Sequence, residues 1–537
     1  MSADGASTAV GKDVDPVRLE VFKHLLSSVA EEMGTVLRRT AFSPNIKERR
    51  DYSCALFDDR ARMVAQAAHI PVHLGSMSSA VGSCTRELDL GPGDVALVND
   101  PFRGGTHLPD LTLVAPVHLA SGSAGSRLLG YVAARAHHAD VGGSAPGSMA
   151  LSRDIYEEGL VIPPVRLVRG GERDEALLEL LLANVRTPGE RAGDLRAQVG
   201  AVRRGQERFR ELAGRYGEED LRRYMSALLG YAERTVRSLV DELPDGTYRF
   251  RDVMDDDGWS EEPAVIAVEV AVEGDRLTVD FRASDPQREG SVNAVRSITV
   301  SAVAYVVRCL VGLDVPSNDG CLAPVRVLTT GGTIVDARPP AAVAGGNVET
   351  SQRMVDVLLG AFAEAFPDAV PAASQGTMNN LTLGGRAAGG ERRWAYYETV
   401  AGGVGGGPDG PGASGLHSHM TNTLNTPVEA LEFAYPLRVR RYALRHGSGG
   451  EGRHPGGEGV VRELEVLMES RLTLLTERRR HGPYGLRGGA AGERGRNVLV
   501  RDGVEEELPG KGTWNLRPGD RIRLETPGGG GWGSAAG

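Results

Sequence analysis

The feature that most narrows the fold is a pair of apolar segments, Leu111–Leu119 and Leu128–Ala136, set between the polar motifs His107-Leu108-Pro109-Asp110 and His137-His138-Ala139-Asp140. Both segments have strand length, and the connection Ala120–Arg127 suits an antiparallel hairpin. With Leu119 opposite Leu128, Asp110 falls opposite His137, and His107 sits one short turn earlier. Cross-strand neighbours lie about 4.5–5.5 Å apart at Cβ, so imidazoles and a carboxylate from three chain positions converge at the open end of the hairpin. Such a donor set suits zinc, manganese or iron(II), whereas an all-oxygen cage suits calcium or magnesium. Successive strand residues face opposite sides, so His137 and His138 cannot both enter the site, and the register selects His137.

Around this hairpin the chain reads as mixed α/β. Asp15-Pro16 is a capping residue followed by proline at the first helical position; Leu19, Phe22, Leu26, Val29, Met33 and Val36 then mark one apolar helix face to about Arg39. Tyr52–Phe57 and Arg62–Ala67 form a second hairpin across Asp58-Asp59-Arg60, and Val95–Val98 is a short strand stopped by Asn99-Asp100-Pro101. Thr187-Pro188-Gly189-Glu190 has the form of a capping box and opens a helix to about Leu212. Another helix covers Glu219–Val240. Strands Val265–Val272 and Leu277–Phe281 flank a Gly274-Asp275 turn, Met354–Phe366 has helical character, and the chain from about Pro436 is β-rich. The expected architecture is a large intertwined multi-domain subunit of α+β type. It has a disordered N-terminus (1–14), a metal-bearing α/β region (15–243), a central α/β region with glycine-rich substrate loops (244–435) and a β-rich C-terminal region (436–537).

Lys and Arg total 61 against 71 Asp and Glu, a net charge of −10 with both signs interspersed, so the basic stripe of a nucleic-acid binder is missing. Cys54, Cys84, Cys309 and Cys321 lie far apart with no CxxC pair, as in a reducing cytosol. No stretch approaches the ~18 apolar residues of a membrane span, and the N-terminus lacks a signal-peptide core; a soluble cytoplasmic protein is expected. Glycine is abundant, 72 of 537 residues, and its runs between apolar segments point to close backbone approaches rather than disorder. Neither a GxxxxGK[ST] loop nor a Gly-x-Ser-x-Gly elbow is present. ATP, if used, is bound by another chain.

Several further polar residues are candidates. Asp51 begins the earlier strand and is either a fourth ligand or a strand-edge charge. Pro71 blocks a helical HxxxH face for His69 and His73, leaving them structural or substrate contacts. Asn347 and Glu349, within Ala344–Gln352, either line a pocket or cap the helix that follows. His417 and His419, with Asn422 and Asn425, suit contact with substrate or support of the ligands.

These segments resemble the hydantoinase B/oxoprolinase family, the beta subunits of N-methylhydantoinase-type enzymes, to which the acetone carboxylase alpha subunit is related. The carriers are Asn45–Ser53, Asn99-Asp100-Pro101, Gly104–Asp110, Ala136–Gly143, Gly159 with Pro163-Pro164, Gly345–Thr350, His417–Thr423 and the glycine-rich tail. The resemblance implies that Asp51, His107, Asp110 and His137 bind the metal, and that a hydantoinase A-type partner binds ATP and magnesium and phosphorylates the substrate's carbonyl oxygen, within a hetero-oligomer such as α2β2. The longer Ala120–Arg127 loop is the visible departure.

The implied chemistry is hydrolysis of a lactam or cyclic imide (5-oxoproline, a hydantoin). A divalent ion lowers the pKa of bound water from 15.7 to about 7, and His138, Asp140 or Glu157 moves the proton. His73, Asn347, Glu349, His417 and His419 are the expected substrate contacts. Two alternatives stay open at this point: a subunit of an ATP-dependent ketone carboxylase, and a scaffolding subunit whose ion is structural and closed.

Overall fold

The structure, a computed structural model, describes residues 14–67, 70–120, 125–312, 314–386 and 393–535. The expected disorder of the N-terminus falls almost wholly, and the readings of His69 and the middle of the Ala120–Arg127 loop fall entirely, outside these residues.

A seven-stranded sheet organises the first half, in the order Met63–Gln66, Tyr52–Asp58, Ser126–His137, Asp110–Ala120, Val95–Val98, Val165–Arg169, Glu172–Arg173. Its neighbouring strands are antiparallel. Side chains alternate across it. Leu56, Leu113, Ala115 and Val132 join the core shared with the long helices Pro16–Thr40 and Pro188–Tyr216, while Ala55, Phe57, Val114 and Ala133 meet the Ser76–Glu87 helix on the other face. Burial of both faces explains why these strands read as nearly continuous apolar runs. In the central hairpin the expected register holds from Asp110–His137 to Val117–Gly130. A bulge then sets Leu119 opposite Arg127 rather than Leu128, away from the site.

The helix beginning at Pro188 continues to Tyr216, one turn beyond the expected end, and Thr187 supplies no side-chain cap. The helix Ser76–Glu87 was not anticipated. A second sheet of four strands contains Gly246–Met254, Ala264–Glu273 and Arg276–Asp280, the last running parallel to Val325–Leu328 after the Arg296–Val311 helix crosses between them. The third sheet orders Arg393–Glu398, Asn380–Arg386, Ser470–Leu475 and Lys511–Leu516, so strands from both sides of residue 436 build one layer. A five-stranded sheet from Leu437–Arg445 onward completes the β-rich end.

Near that end the glycine runs stack backbone on backbone. Gly529 N–H donates to the Gly457 carbonyl at 2.9 Å and Gly406 N–H to that of Gly530 at 2.8 Å. A Cβ at Gly403 would collide with the Gly457 carbonyl, and one at Gly529 with the Val404 carbonyl.

Candidate metal centre

Three adjacent strands deliver the site. His137 ends the middle one, with Asp110 as its register partner on one side. On the other side Tyr52 pairs with Ala136, and His137 N–H donates to the Asp51 carbonyl at 3.0 Å. His107 arrives by a turn closed by Asp110 N–H donating to the His107 carbonyl at 3.1 Å. The preceding loop is pressed inward at Gly104, where φ is +93° and a Cβ would lie 2.5 Å from the Ser79 carbonyl oxygen. Asn99 then ties the turn to its surroundings, donating to the Leu108 and Leu160 carbonyls at 2.8 and 2.9 Å and accepting from Ile162 N–H at 2.7 Å.

His107 Nε2 and His137 Nδ1 lie 3.1 and 3.3 Å from Asp110 Oδ1, and one donor atom from each of the three residues falls within 4.8 Å of the others. Donors sharing one divalent ion at bonds of about 2.0–2.2 Å are separated by about 2.9–3.4 Å, so both separations fit coordination edges. The second Asp110 oxygen is held from behind: Oδ2 accepts from Thr106 Oγ1 at 2.6 Å and meets His73 Nε2 at 3.3 Å, while His73 Nδ1 lies 2.8 Å from Ser53 Oγ. Burial alone would raise the Asp110 carboxyl, but His107, His137 and His73 hold it well below the usual carboxylate range. Burial also pushes the His73 ring down, against the opposing pull of Asp110. A carboxylate surrounded by imidazoles at this spacing is chemically suited to a divalent cation.

The cluster opens on a cavity of about 20 Å³, lined in part by Asp51, His73, Asp110, His137, Asn347 and Tyr397. That is room for one ion or one water-sized group. Asp51 therefore shares the cavity but stands outside the tight group of three. Asn347 Nδ2 lies 3.2 Å from His107 Nε2, and its Oδ1 has no partner among the described residues. It belongs to a π-helical turn, Gly346–Thr350, that leads into the helix Ser351–Ala365; such turns recur at functional sites. Glu349 points elsewhere, accepting from Met378 N–H at 3.1 Å and Asn380 Nδ2 at 2.7 Å, and burial pushes its carboxyl up to about 8. It reaches the site only indirectly: Tyr397 Oη donates to Asn380 Oδ1 at 2.8 Å, and the Tyr397 ring stacks on His137 with centroids 4.6 Å apart.

The three expected proton carriers do not line the cavity. His138 faces the helix side of the sheet, its Nε2 2.8 Å from Gln198 Oε1, and burial pushes it down to about 4. Asp140 accepts from the Arg186 backbone N–H and guanidinium at 2.6 and 2.7 Å. Glu157 is half-buried, because the Asp154-capped turn Ile155–Glu158 turns Glu158 inward instead. Glu158 Oε1 accepts from Ser152 and from the N–H groups of Val343 and Ala344, and burial pushes it up to about 7. His417, pushed down to about 3 by burial and by Arg49, and His419, whose Nε2 lies 3.0 Å from Asp356 Oδ1, also stand outside the cavity. His419 anchors the segment whose next residues, Met420 and Thr421, form part of the wall. Thr106 could have been found from its place beside His107; Tyr397 carries no local signal.

An intertwined α/β fold with a buried His-Asp-His cluster on its central sheet is the class that fold and site define. The chain belongs to the hydantoinase B/oxoprolinase family, which it matches over residues 15–535. It is 40% identical to 5-oxoprolinase 1 of Arabidopsis thaliana over 97% of its own length, yet spans only 42% of that protein. It is 30% identical to a putative D-/L-hydantoinase component, of the B type, from a Pseudomonas species, covering 97% of this chain and 90% of that one. Among solved structures, the ATP-dependent caprolactamase of Pseudomonas jessenii superposes with a TM-score of 0.90 at 29% identity, over 97% of this chain and 92% of that one. A nucleotide-free acetone carboxylase shares the fold, with a TM-score of 0.86 at 17% identity over 97% of this chain and 76% of the other. Among the described residues no helix is long and apolar enough to cross a membrane.

Proposed function

We propose that this chain is the ring-opening component of an ATP-dependent amidohydrolase acting on a lactam or cyclic imide, with a divalent ion held by His107, Asp110 and His137 and with Asp51 as fourth ligand. The observation that carries the reading is the convergence of imidazole and carboxylate donors at coordination spacing, two of them lining one small cavity. Similarity to 5-oxoprolinases, a putative hydantoinase component and a caprolactamase supports the substrate class. The ion is zinc, manganese or iron(II), the metals that suit mixed imidazole and carboxylate ligands.

A bound divalent ion supplies Lewis acidity and a water acidic enough to ionise near neutrality. The chain's own residues position everything else. Thr106 and His73 fix one oxygen of Asp110 and leave the other facing His107 and His137. Asn347 Oδ1, free of protein partners among the described residues, is an acceptor for the substrate beside His107. Tyr397 stacks on His137 and holds its ring plane.

The ATP-using step belongs to a hydantoinase A-type partner that binds ATP and magnesium and phosphorylates the carbonyl oxygen, in a cytoplasmic hetero-oligomer such as α2β2. In support, the chain carries no phosphate-binding loop sequence, and it spans most of the putative hydantoinase component, yet under half of a 5-oxoprolinase. The test is co-expression with such a partner and assay of ATP-dependent opening of 5-oxoproline, hydantoins and caprolactam, for wild type and His107→Ala. Ring opening that needs ATP and disappears with the metal in His107→Ala is expected. Activity persisting in the metal-free variant, or labelled bicarbonate entering the product, overturns the reading.

A further inference from the structure

Among the described residues three buried arginines, Arg49, Arg135 and Arg479, meet no carboxylate at ion-pair distance, and Arg49 is the one beside the metal-site cavity. Arg49 is fully buried, and its hydrogen bonds go to neutral acceptors: Asn45 Oδ1 at 3.1 Å, the Tyr397 carbonyl at 3.2 Å, Thr399 Oγ1 at 2.7 Å and Thr423 Oγ1 at 3.4 Å. Its Nε has no partner among the described residues. The buried Arg353, Arg462 and Arg478 each meet a carboxylate. Arg135 and Arg479 do not, but their bonds end on Thr112 and Ser76 inside the sheet core and on Asn379, Asn497 and the Glu477 carbonyl, whereas two of those of Arg49 end on threonines that line the metal-site cavity. A buried charge without a counter-ion is unfavourable, and an anion arriving in that cavity would relieve it.

The hydroxyl geometry points the same way. Thr399 and Thr423 oxygens lie 2.9 Å apart, those of Thr423 and Thr421 3.4 Å, and all three residues line the cavity. Because Arg49 donates to two of these oxygens, their own protons must be directed elsewhere. The two contacts joining these three hydroxyls account for two of their three protons. The cavity lined by Asp51, Asp110 and His137 is thus also lined by three threonines, two of whose hydroxyls are backed by a guanidinium.

We propose that Arg49 with Thr399, Thr421 and Thr423 forms an anion subsite that receives one phosphate oxygen of a substrate activated as a phosphate ester. This rests on the hydrolase reading above, in which the ring carbonyl oxygen is phosphorylated before it reaches this chain. The cavity is only about 20 Å³, so with the ion seated among its ligands at most one anionic oxygen reaches the threonines and the rest of the group lies outside. Charge-assisted hydrogen bonds are the strong ones, and Asp51 and Asp110 in the same cavity make occupancy by an anion depend on a bound cation.

The test is calorimetric titration of the metal-loaded full chain with inorganic phosphate, for wild type, Arg49→Met and Thr423→Val, with metal content measured in each. Phosphate should bind wild type, bind each variant at least tenfold more weakly at unchanged metal content, and bind metal-stripped wild type no better than the variants. Acetate at equal concentration should not displace it. Absence of phosphate binding to wild type, equal affinity in the variants, or displacement by acetate overturns the subsite. If Arg49→Met does not fold, Thr423→Val, which keeps the side-chain shape and loses only the hydroxyl, decides the matter. Equal phosphate affinity in the variants would sink the subsite and leave the hydrolase reading standing; failure of wild-type ring opening would sink that reading while the titrations remain readable.

Discussion

Asp110 is served from two directions, its Oδ1 toward His107 and His137 and its Oδ2 toward Thr106 and His73. Groups that orient a ligating carboxylate typically contribute 10–100-fold to metal affinity. His73→Ala should therefore weaken metal binding about 10–100-fold with the fold intact, as read by competition with a chelating dye; unchanged affinity would show that His73 merely fills space. Glu349 gives a pH signature. Its buried carboxyl holds the proton up to about 8, against an ordinary 4.5. The folded pKa is raised, so this group's contribution to stability is full below about 4.5 and is lost as pH rises through about 8. Glu349→Gln should remove that dependence, and the variant should gain melting temperature relative to wild type at pH 8 but not at pH 4.5. Selection of His137 over His138 was legible in the sequence because the two strands are joined by a local turn. The place of Asp51 beside His137 was not, since it depends on pairing between strands more than seventy residues apart. His138, Asp140 and Glu157 do not line the cavity: the first two turn to Gln198 and Arg186 at the strand end, and Glu157 yields the inward place to Glu158.

At the level of elements, the strongly periodic segments were readable and the packed ones were not. The first helix and the central hairpin carry their patterns openly. Ser76–Glu87 is rich in serine and small residues, weak helix formers, and it is helical because the face of the central sheet buries Met77, Ala80, Val81 and Cys84. The π-helical turn at Gly346–Thr350 likewise leaves no trace in residue spacing. The loop carrying His107 depends on Gly104, where positive φ and the nearby Ser79 carbonyl exclude a side chain. Gly104→Ala should cost about 1–3 kcal/mol in chemical denaturation and lower metal affinity as well, because the strain falls on the turn that sets His107. A loss of stability with metal affinity untouched would separate the loop from the site.

For the whole molecule, the third sheet joins strands on either side of residue 436, so the central and C-terminal regions cannot be parted without opening it. The sequence suggested a β-rich end and held no hint of this interleaving, since strand partners distant along the chain share no local pattern. Abundant glycine, read as a sign of close backbone approach, has that meaning in the stack around Gly403, Gly457 and Gly529. Overpacking a rigid interior typically costs about 1–3 kcal/mol, and here the obstacle is backbone that cannot rotate aside. Gly529→Ala should therefore destabilise by at least about 2–3 kcal/mol, measured by denaturant unfolding, while any folded fraction binds metal normally.

The same stack bears on how a mutational survey of this protein would be interpreted. A side chain that is too large can be accommodated when its neighbour shrinks, but a carbonyl has nothing to give up, so these glycines have no second-site suppressors. In a growth-based selection they would score as intolerant as His107 or Asp110. Ranking positions by fitness alone would thus draw two active sites, one of which performs no chemistry, and only bound metal counted per folded molecule would tell them apart.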